Sequence, residues 1–177
     1  TPSEKLETYL ERIDRYNPHL NAYVALRVDA AREDAVAADK RRAEGALLSP
    51  IDGWCVGVKA NIAVQGLAHH AGIGAYKNVV ASKDAEVISR LKSAGAIIIG
   101  LLNMHEGALG ATTDNEVFGR TQNPWKDGYT PGGSSGGSGC AVAADLCDFA
   151  LGSDTMGSVR IPSAYCGVQG HKATTGN

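Results

Sequence analysis

The sequence has 177 residues, a formal net charge of −2 at pH 7, and 44% hydrophobic and 20% charged residues. This composition excludes a mainly disordered chain, and the length is enough to bury a core, so we expect a single domain over residues 1–177. The near-neutral charge argues against direct contact with nucleic acid, because binding to phosphates needs a basic surface.

The chain contains no stretch near the roughly 18 apolar residues that a membrane-spanning helix needs, so we expect no membrane association. It begins at Thr1 without methionine, which leaves open a lost targeting segment. The four cysteines form no C-x-x-C pair and predict buried free thiols in a reducing cytoplasm rather than zinc ligands or disulfides. We therefore expect a cytoplasmic protein without a metal; the cysteines are Cys55, Cys140, Cys147 and Cys166.

Two helices are predicted in the first quarter of the chain. Apolar residues at helical spacing predict the first over residues 3–16, with Ser3 as its N-cap. The Asn17-Pro18 pair is predicted to end it, because a residue before proline is disfavoured in the α conformation. The second is alanine-rich, runs from about Val28 to Glu44, and is followed by Gly45 in the position of a C-cap glycine.

Three short apolar segments predict buried strands: Cys55–Val64 with its exit, Ala96–Leu101, and Phe149–Ser153. A helix over residues 83–94 is predicted between the first two, capped by Ser82. A helix of small residues, 140–146, precedes the third. The order of these elements predicts an α/β sheet whose central strands are buried.

The predicted helix over residues 83–94 is expected to have an acidic first turn and one buried, apolar side. Its first turn contains acidic residues, which suit the positive end of a helix dipole. Its buried side is predicted to carry three apolar residues. The acidic residues are Asp84 and Glu86, and the apolar ones are Val87, Ile88 and Leu91.

Lys59 is the one charged residue in the first predicted strand. Burial of a lysine charge is costly, so two interpretations stay open. The strand lies at a sheet edge and the side chain reaches water, or Lys59 is desolvated, with a lowered pKa that lets it act as a base near neutral pH.

The glycine-rich segment Gly132–Gly139 contains the pair Ser134 and Ser135. It lacks the lysine of a phosphate-binding P-loop. Residues 133–137 match the G-x-S-x-G pattern with Ser135 in the centre. However, the nucleophile elbow of an α/β-hydrolase needs a preceding apolar strand, and the residues before this segment form a polar turn. We therefore reject the elbow.

Ser158 follows the third predicted strand and lies in a tight turn, next to the pair Asp154 and Arg160. Successive N–H groups in such a turn can converge on an oxyanion. A plain turn with a local salt bridge is the alternative. A serine hydroxyl alone is a weak nucleophile and needs a base.

Taken together, several segments resemble the amidase signature family of serine hydrolases. The matching pieces run in family order from residue 51 to residue 175, and the long serine–glycine signature is highly specific. They are Gly57–Ile62, Asn103–Glu106, Asn123–Trp125, Pro131–Ser138, Gly152–Pro162 and Cys166–Val168.

The resemblance implies a mixed β-sheet core covered by helices on both faces and a Ser–cis-Ser–Lys triad without metal or cofactor. Ser158 matches the acylated nucleophile, Ser134 the bridging serine after a cis peptide bond, and Lys59 the base, which must be neutral in the resting enzyme. The family's oxyanion hole corresponds in this sequence to the backbone N–H groups of Thr155, Met156, Gly157 and Ser158. The supporting residues are Ser135, Asp154 and Arg160.

The sequence departs from the family pattern at three positions. Ala60 stands where aspartate is common, Met156 where glycine is frequent, and His171 where a hydrophobic residue is common. Met156 keeps its N–H, so the oxyanion hole survives, but its side chain is expected to narrow the pocket. The chain is also much shorter than the family's catalytic domain. It is therefore expected to be an N-terminal portion, with an incomplete fold and little activity alone.

Three functions follow as alternatives. The first is a hydrolase that cleaves the C–N bond of a small carboxamide through an acyl-enzyme. The second is the glutaminase component of a tRNA-dependent amidotransferase, which passes ammonia to a partner protein. The third is an inactive fragment or binding module. The expected partners are a small amide substrate and either a second copy in a homodimer or, for an amidotransferase, its other subunits.

Overall fold

The computed structural model describes residues 1–174. Residues 175–177, which the single-domain prediction includes, lie outside the described residues. In chain order the elements are α1 (Pro2–Leu20), β1 (Tyr23–Leu26), α2 (Val28–Ala43), β2 (Cys55–Lys59), α3 (Glu86–Ser93), β3 (Ile97–Leu102), β4 (Asp114–Asn115), β5 (Gly119–Arg120), α4 (Gly136–Ala143), β6 (Phe149–Leu151) and α5 (Arg160–Cys166).

Four strands form a mixed sheet in the order β1-β3-β2-β6. β1 is antiparallel to β3, whereas β2 is parallel to both β3 and β6. The carboxyl ends of three neighbouring strands therefore meet at one edge of the sheet. β4 and β5 form a separate small hairpin.

Apolar side chains cover both faces of this sheet. One core packs α1, α2 and α4 against residues such as Ile97 and Ile99 of β3. The other packs Ile88 of α3 against Val56 and Val58 of β2. The predicted α/β architecture, a mixed sheet with helices on both faces, is confirmed. Within residues 1–174 no helix is long and apolar enough to cross a membrane.

The three predicted strands exist. β2 ends at Lys59, within the predicted strand and exit over Cys55–Val64, and β6 ends at Leu151 rather than at Ser153. β3 has the predicted length and is shifted by one residue. Every residue of β2 and β3 is buried, as continuous apolar runs predict. α2 also closely matches its predicted range.

The predicted ends of α1 are wrong at both termini. Thr1, not Ser3, is the N-cap, because its side chain accepts the Glu4 N–H in a capping box. The helix also continues through Pro18 to Leu20. Pro18 removes only one backbone N–H, close to the end of the helix. The last turn is stabilised by burial of Leu20 and by the hydrogen bond from the Asn21 N–H to Asn17 O.

α3 begins at Glu86, later than predicted, and Ser82 does not cap it. The carboxylate of Asp84 is directed elsewhere, since it accepts hydrogen bonds from Gln65 N and Lys92 Nζ. Val87 is exposed rather than buried, whereas Ile88 is buried as predicted.

α4 begins at Gly136, inside the glycine-rich segment, rather than at Cys140. A Cβ on Gly137 would clash with the carbonyl oxygen of Asn103, so only glycine lets the helix pack so closely on the end of β3. The helix α5, directly after Ser158, was not predicted.

Candidate active site

The candidate residues lie together at the carboxyl edge of the parallel strands. Lys59 is the last residue of β2, and the segment that leads to Ser158 follows β6 directly. Ser134 lies just before α4, which packs on the same edge. In open α/β sheets this edge is the usual position of a ligand site.

Lys59 is fully buried. β2 lies between β3 and β6, so the interpretation of Lys59 as an edge residue that reaches water is wrong. Its Nζ donates hydrogen bonds to Ser134 Oγ at 2.7 Å and to Ser153 Oγ at 2.8 Å. The prediction that Lys59 is buried next to Ser134 is confirmed.

Burial lowers the pKa of Lys59 from its ordinary value of 10.5 to about 8. The negative charge of Asp154 acts in the opposite direction, because a nearby anion favours the ammonium form. The result is an amine that titrates close to neutral pH, as a general base requires.

Ser134 is fully buried, and its preceding peptide bond, Gly133–Ser134, is cis as predicted. Its carbonyl oxygen accepts the N–H of His105. A Cβ on Gly133 would lie 2.8 Å from the backbone of residues 110–112. The serine pair is therefore held between β2 and this neighbouring loop.

Two polar residues next to Lys59 were missed as site residues. Ser153 Oγ accepts from Lys59 Nζ and also from Asn61 Nδ2 at 2.9 Å. The Asn61 Oδ1 atom is buried and has no hydrogen-bond partner in the part of the chain that is described. Asn61 lies two residues beyond Lys59, and Ser153 two residues beyond β6. Their proximity depends on strand register, which the sequence does not show.

Ser135 is almost completely buried. Its Oγ donates to the carbonyl oxygen of Ser153 at 3.2 Å, and its N–H donates to Ser158 O. No strand immediately precedes it, so the rejection of the nucleophile elbow is confirmed. Ser135 instead links the glycine-rich segment to the turn that carries Ser158.

The Asp154 carboxylate organises this turn. It accepts the backbone N–H groups of residues 157, 159 and 160, as well as a two-pronged ion pair from the Arg160 guanidinium. The Arg160 guanidinium and these N–H groups hold the pKa of the buried Asp154 carboxyl well below its usual range. The predicted Asp154–Arg160 pair is confirmed.

One of the four predicted oxyanion donors is engaged elsewhere. The N–H of Gly157 donates to Asp154 Oδ1 at 2.8 Å. In this arrangement it is therefore not free to stabilise an oxyanion, as the resemblance had implied. Within residues 1–174 the N–H groups of Thr155, Met156 and Ser158 have no hydrogen-bond partner. These three groups remain available as donors.

Ser158 is half-buried and lines a cleft of about 340 Å³. Gly133, the loop 107–111, Met156 and Ile161 line the same cleft. Across the described residues, 1–174, the Ser158 hydroxyl makes no hydrogen bond to another side chain. The candidate nucleophile is thus accessible to a small molecule, while Lys59 and Ser134 are enclosed behind it.

The four cysteines are free and buried, as predicted. In the part of the chain that the structure describes, no three His, Cys, Asp or Glu side chains are grouped so that they could hold a metal ion.

The chain is similar to a known protein family and to individual proteins of known sequence. Residues 4–177 match the amidase family. The A subunit of the glutamyl-tRNA(Gln) amidotransferase of Methanothermobacter thermautotrophicus is 46% identical over 176 residues, which are 99% of this chain and 39% of that protein. The chain thus spans about two-fifths of the length of this curated relative.

Solved structures of other proteins are also similar to this chain. A peptide amidase from Stenotrophomonas maltophilia superposes with a TM-score of 0.85 and 35% identity, over 92% of this chain and 35% of its own. A protein from a vestigial complex that reveals the evolutionary origins of an s-triazine catabolic enzyme gives a TM-score of 0.91 and 40% identity, over 94% of this chain and 37% of its own.

Proposed function

Because the chain belongs to the amidase family, we propose that it hydrolyses the C–N bond of a carboxamide through Ser158, Ser134 and Lys59. The observation that carries this proposal is the fully buried Lys59 amine, 2.7 Å from Ser134 Oγ. A lysine in such a position is rare without a function, because burial penalises its charge. The proposal includes residues 1–177 as the N-terminal portion of a single catalytic domain.

Lys59 is proposed as the base. With a pKa of about 8, its neutral fraction is roughly one-tenth at pH 7 and about half at pH 8. The neutral, reactive form of the amine therefore accumulates as the pH rises through about 8.

The hydrogen bonds around Ser153 support this role for Lys59. Ser153 Oγ accepts from both Lys59 Nζ and Asn61 Nδ2, so both of its lone pairs are occupied. When Lys59 loses a proton, its own lone pair is left for the Ser134 hydroxyl. Ser153 and Asn61 are therefore proposed as positioning residues.

The proposed reaction then follows. Neutral Lys59 takes the proton of Ser134, which takes the proton of Ser158 as Ser158 Oγ attacks the carbonyl carbon. The proton returns by the same route to the leaving nitrogen as the C–N bond breaks, and an acyl-enzyme and an amine are formed. Water then hydrolyses the ester and regenerates Ser158. The proposed relay requires the Ser158 hydroxyl to donate to Ser134 Oγ when substrate is bound.

The N–H groups of Thr155, Met156 and Ser158 are proposed to stabilise the oxyanion. Such donors act best when they are fixed before the reaction. Asp154 fixes this turn, because its carboxylate accepts hydrogen bonds from the N–H groups of Gly157 and Val159. No metal or cofactor takes part in the proposed chemistry.

The second candidate is the glutaminase component of an amidotransferase, which hydrolyses glutamine and transfers ammonia. The 46% identity to a protein named as part of such an amidotransferase favours it, and this function would add partner subunits. An inactive binding module is disfavoured by the intact arrangement of Lys59 and Ser134. Cytoplasmic localisation and a homodimer remain predictions.

The direct test is ammonia release by the full-length protein. We expect release from small carboxamides by the wild type and loss of at least about 10³-fold in Ser158→Ala, because the nucleophile is removed. Ser82→Ala, at an exposed serine, is the matched control and should retain full activity. Release from glutamine only, with co-purifying subunits, would favour the second candidate. Equal activity of Ser158→Ala and the wild type would refute the mechanism.

A further inference from the structure

A buried histidine lies near the active site and takes no part in the proposed chemistry. His70 is 2% exposed and begins the turn 70–73, which is closed by a hydrogen bond from the Ile73 N–H to His70 O. The His70 Nδ1 atom accepts the N–H of Gly72 at 2.9 Å. A ring nitrogen that accepts a hydrogen bond carries no proton, so the imidazole is neutral in this structure, with its proton on Nε2.

The backbone of the turn 70–73 makes it depend on such hydrogen bonds. Its two central residues, Ala71 and Gly72, have φ values of 48° and 74°. This left-handed conformation is disfavoured for alanine, because its Cβ comes too close to the backbone. The acceptor on His70 thus stabilises a conformation that the turn would not favour by itself.

The same turn joins the strand that carries Lys59 to the loop at the cleft. The Ala71 N–H donates to the carbonyl oxygen of Ala60, the residue directly after Lys59. The Ala71 carbonyl oxygen accepts the N–H of Gly107, where the cleft loop 107–111 begins. A single residue of the turn is therefore bonded to both of these segments.

The segment that holds Ser134 is connected to the turn as well. His105, in this segment, donates its N–H to Ser134 O. The side-chain amide of Asn115 donates to Gly72 O at 2.8 Å and to Met104 O at 3.3 Å. The turn thus supports the proposed base through one set of contacts and the bridging serine through another.

The surroundings of His70 oppose a second proton on its ring. Burial, together with the nearby His69, lowers the pKa of His70 below its ordinary value of 6.5. The ring also stacks on Phe118, with 3.9 Å between the ring centroids, and this contact favours a cation. Burial is the larger effect, since the pKa is lowered.

The elements packed against the turn do not supply a counter-charge. Within residues 1–174, no carboxylate on these elements raises the pKa of His70. Their titratable and charged side chains are Lys59, His105, Glu106, Asp114, Glu116 and Arg120.

A proton on Nδ1 would reverse the role of the ring. The ring would become a donor, and two N–H groups would face each other across the present hydrogen bond. The buried N–H of Gly72 would lose its acceptor, which is costly. Opening of the turn relieves this contact, and it also breaks the hydrogen bonds of Ala71 to both sides of the site.

We propose that the turn 70–73 is an acid-sensitive switch, which keeps Lys59 and Ser134 in position only while His70 is neutral. Its effect on activity rests on the proposed amide hydrolysis, whereas its effect on the turn does not. His70 is thus a positioning residue, and the switch acts below pH 6.5, apart from the titration of Lys59 near pH 8.

Hydrogen exchange of the full-length protein, followed by mass spectrometry at pH 7.5 and pH 5, measures the opening of the turn. A histidine released from its buried place has a pKa of 6.5, so the opening equilibrium should increase up to about thirtyfold at pH 5. The amides of residues 71–73 and of Gly107 should lose protection accordingly, after correction for the intrinsic effect of pH on exchange.

Two variants of His70 and one control localise this response. His70→Asn keeps an acceptor for the Gly72 N–H, as in an Asx turn, but does not titrate, so its protection should not depend on acid in this way. His70→Ala has no acceptor and should exchange rapidly at both pH values. His19→Asn, the same substitution at an exposed histidine, should respond as the wild type does.

The pH dependence of kcat/KM gives a second readout that a merely structural role would not change. Activity should fall by about one decade per pH unit below pH 8 as Lys59 gains its proton. Once His70 also gains a proton, below pH 6.5, the wild-type slope should steepen towards about two decades per unit. His70→Asn should keep a slope of about one and retain most of the activity at pH 8, whereas His70→Ala should lose at least about tenfold there.

The outcomes separate the two proposals. Equal exchange responses to acid in the wild type and His70→Asn overturn the switch and leave the proposed function intact. Equal slopes in these two proteins overturn the effect of the switch on activity. An exchange response that His70→Asn abolishes supports the switch even if the protein hydrolyses no amide, a result that overturns the proposed function alone.

Discussion

The two halves of the candidate site are built on opposite principles. The enclosed half consists of Lys59, Ser134 and Ser153, in which the Lys59 amine donates a hydrogen bond to each serine hydroxyl. The open half consists of Ser158 and Met156 with Leu109 opposite, which line the cleft. Polar groups dominate the first and apolar groups dominate the second.

The difference has a physical reason. Polar groups removed from water must find partners inside the protein, so the enclosed half is fixed by its hydrogen bonds. Groups at the cleft can change without leaving a buried partner unsatisfied. In the proposed mechanism the enclosed half supplies the base and the bridging hydroxyl, and the open half presents the nucleophile to the substrate.

The largest expected effect comes from Lys59→Met, which keeps the length and removes the amine. Activity should fall at least about 10³-fold, because the base is lost. Loss of the two hydrogen bonds to serine hydroxyls lowers stability, but removal of the amine also relieves a cost. The folded-state pKa of about 8 lies below the unfolded one, so the charged amine destabilises the fold below pH 8. This cost is up to about 3 kcal/mol and decreases as the pH rises from 8 towards 10.5.

Urea unfolding at pH 7 and pH 10 measures this effect. The stability of the variant relative to the wild type should be greater at pH 7 than at pH 10. An equal difference at both values would mean that Lys59 does not titrate with a lowered pKa.

The next largest effect is expected from Ser153→Ala. Activity should fall about 10- to 100-fold, because the amine loses one of its two fixed partners. The wild-type kcat/KM should rise with pH through about 8. The variant should show a lower apparent pKa, because Ser153 accepts a hydrogen bond that favours the charged amine.

Ser138→Ala is the matched control for that experiment, since the Ser138 hydroxyl bonds to Leu151 O, on the strand just before Ser153. Its pH profile should match that of the wild type. If both serine variants lose activity without a change in apparent pKa, Ser153 has only a structural role.

A smaller effect is expected in the turn that carries Ser158. Asp154→Asn should destabilise the protein by about 2 kcal/mol, because charge-assisted bonds to several N–H groups are weakened. Since the pKa of Asp154 is depressed, this contribution is present above its ordinary pKa near 4 and is lost as the pH falls further. Unfolding midpoints at pH 7 and pH 3 measure it.

Arg160→Met should show the smallest effect, clearly below that of Asp154→Asn, because the arginine is mostly exposed and its ion pair is screened by water. A loss as large as that of Asp154→Asn would show that the ion pair, rather than the backbone N–H bonds, holds the turn.

Two of the three residues of the enclosed half could be predicted from the sequence, and Ser153 could not. A lysine in an apolar run and a serine pair among glycines are local signals that single out Lys59 and Ser134, but only the resemblance to the family predicted their roles. Ser153 was missed because its contact with Lys59 depends on the parallel pairing of β2 and β6. The end of α1 was misplaced because burial of Leu20 outweighs the effect of Pro18.

The glycine-rich segment illustrates the same limit. Its composition suggests a folded loop around a site, but the reason for Gly137 is the close approach of α4 to Asn103, a long-range contact. Likewise, the N–H of Gly157 is turned towards Asp154 by hydrogen bonds that no sequence pattern shows.

The central claim is that Ser158 is the nucleophile, activated from the enclosed half. The most direct measurement is the reaction of the full-length protein with a fluorophosphonate probe, followed by mass spectrometry of the labelled peptide. We predict a single label on Ser158, with a labelling rate that increases through about pH 8 and is lost in Lys59→Met. A label on Ser135, or labelling of Ser158 at an unchanged rate in Lys59→Met, would contradict the claim.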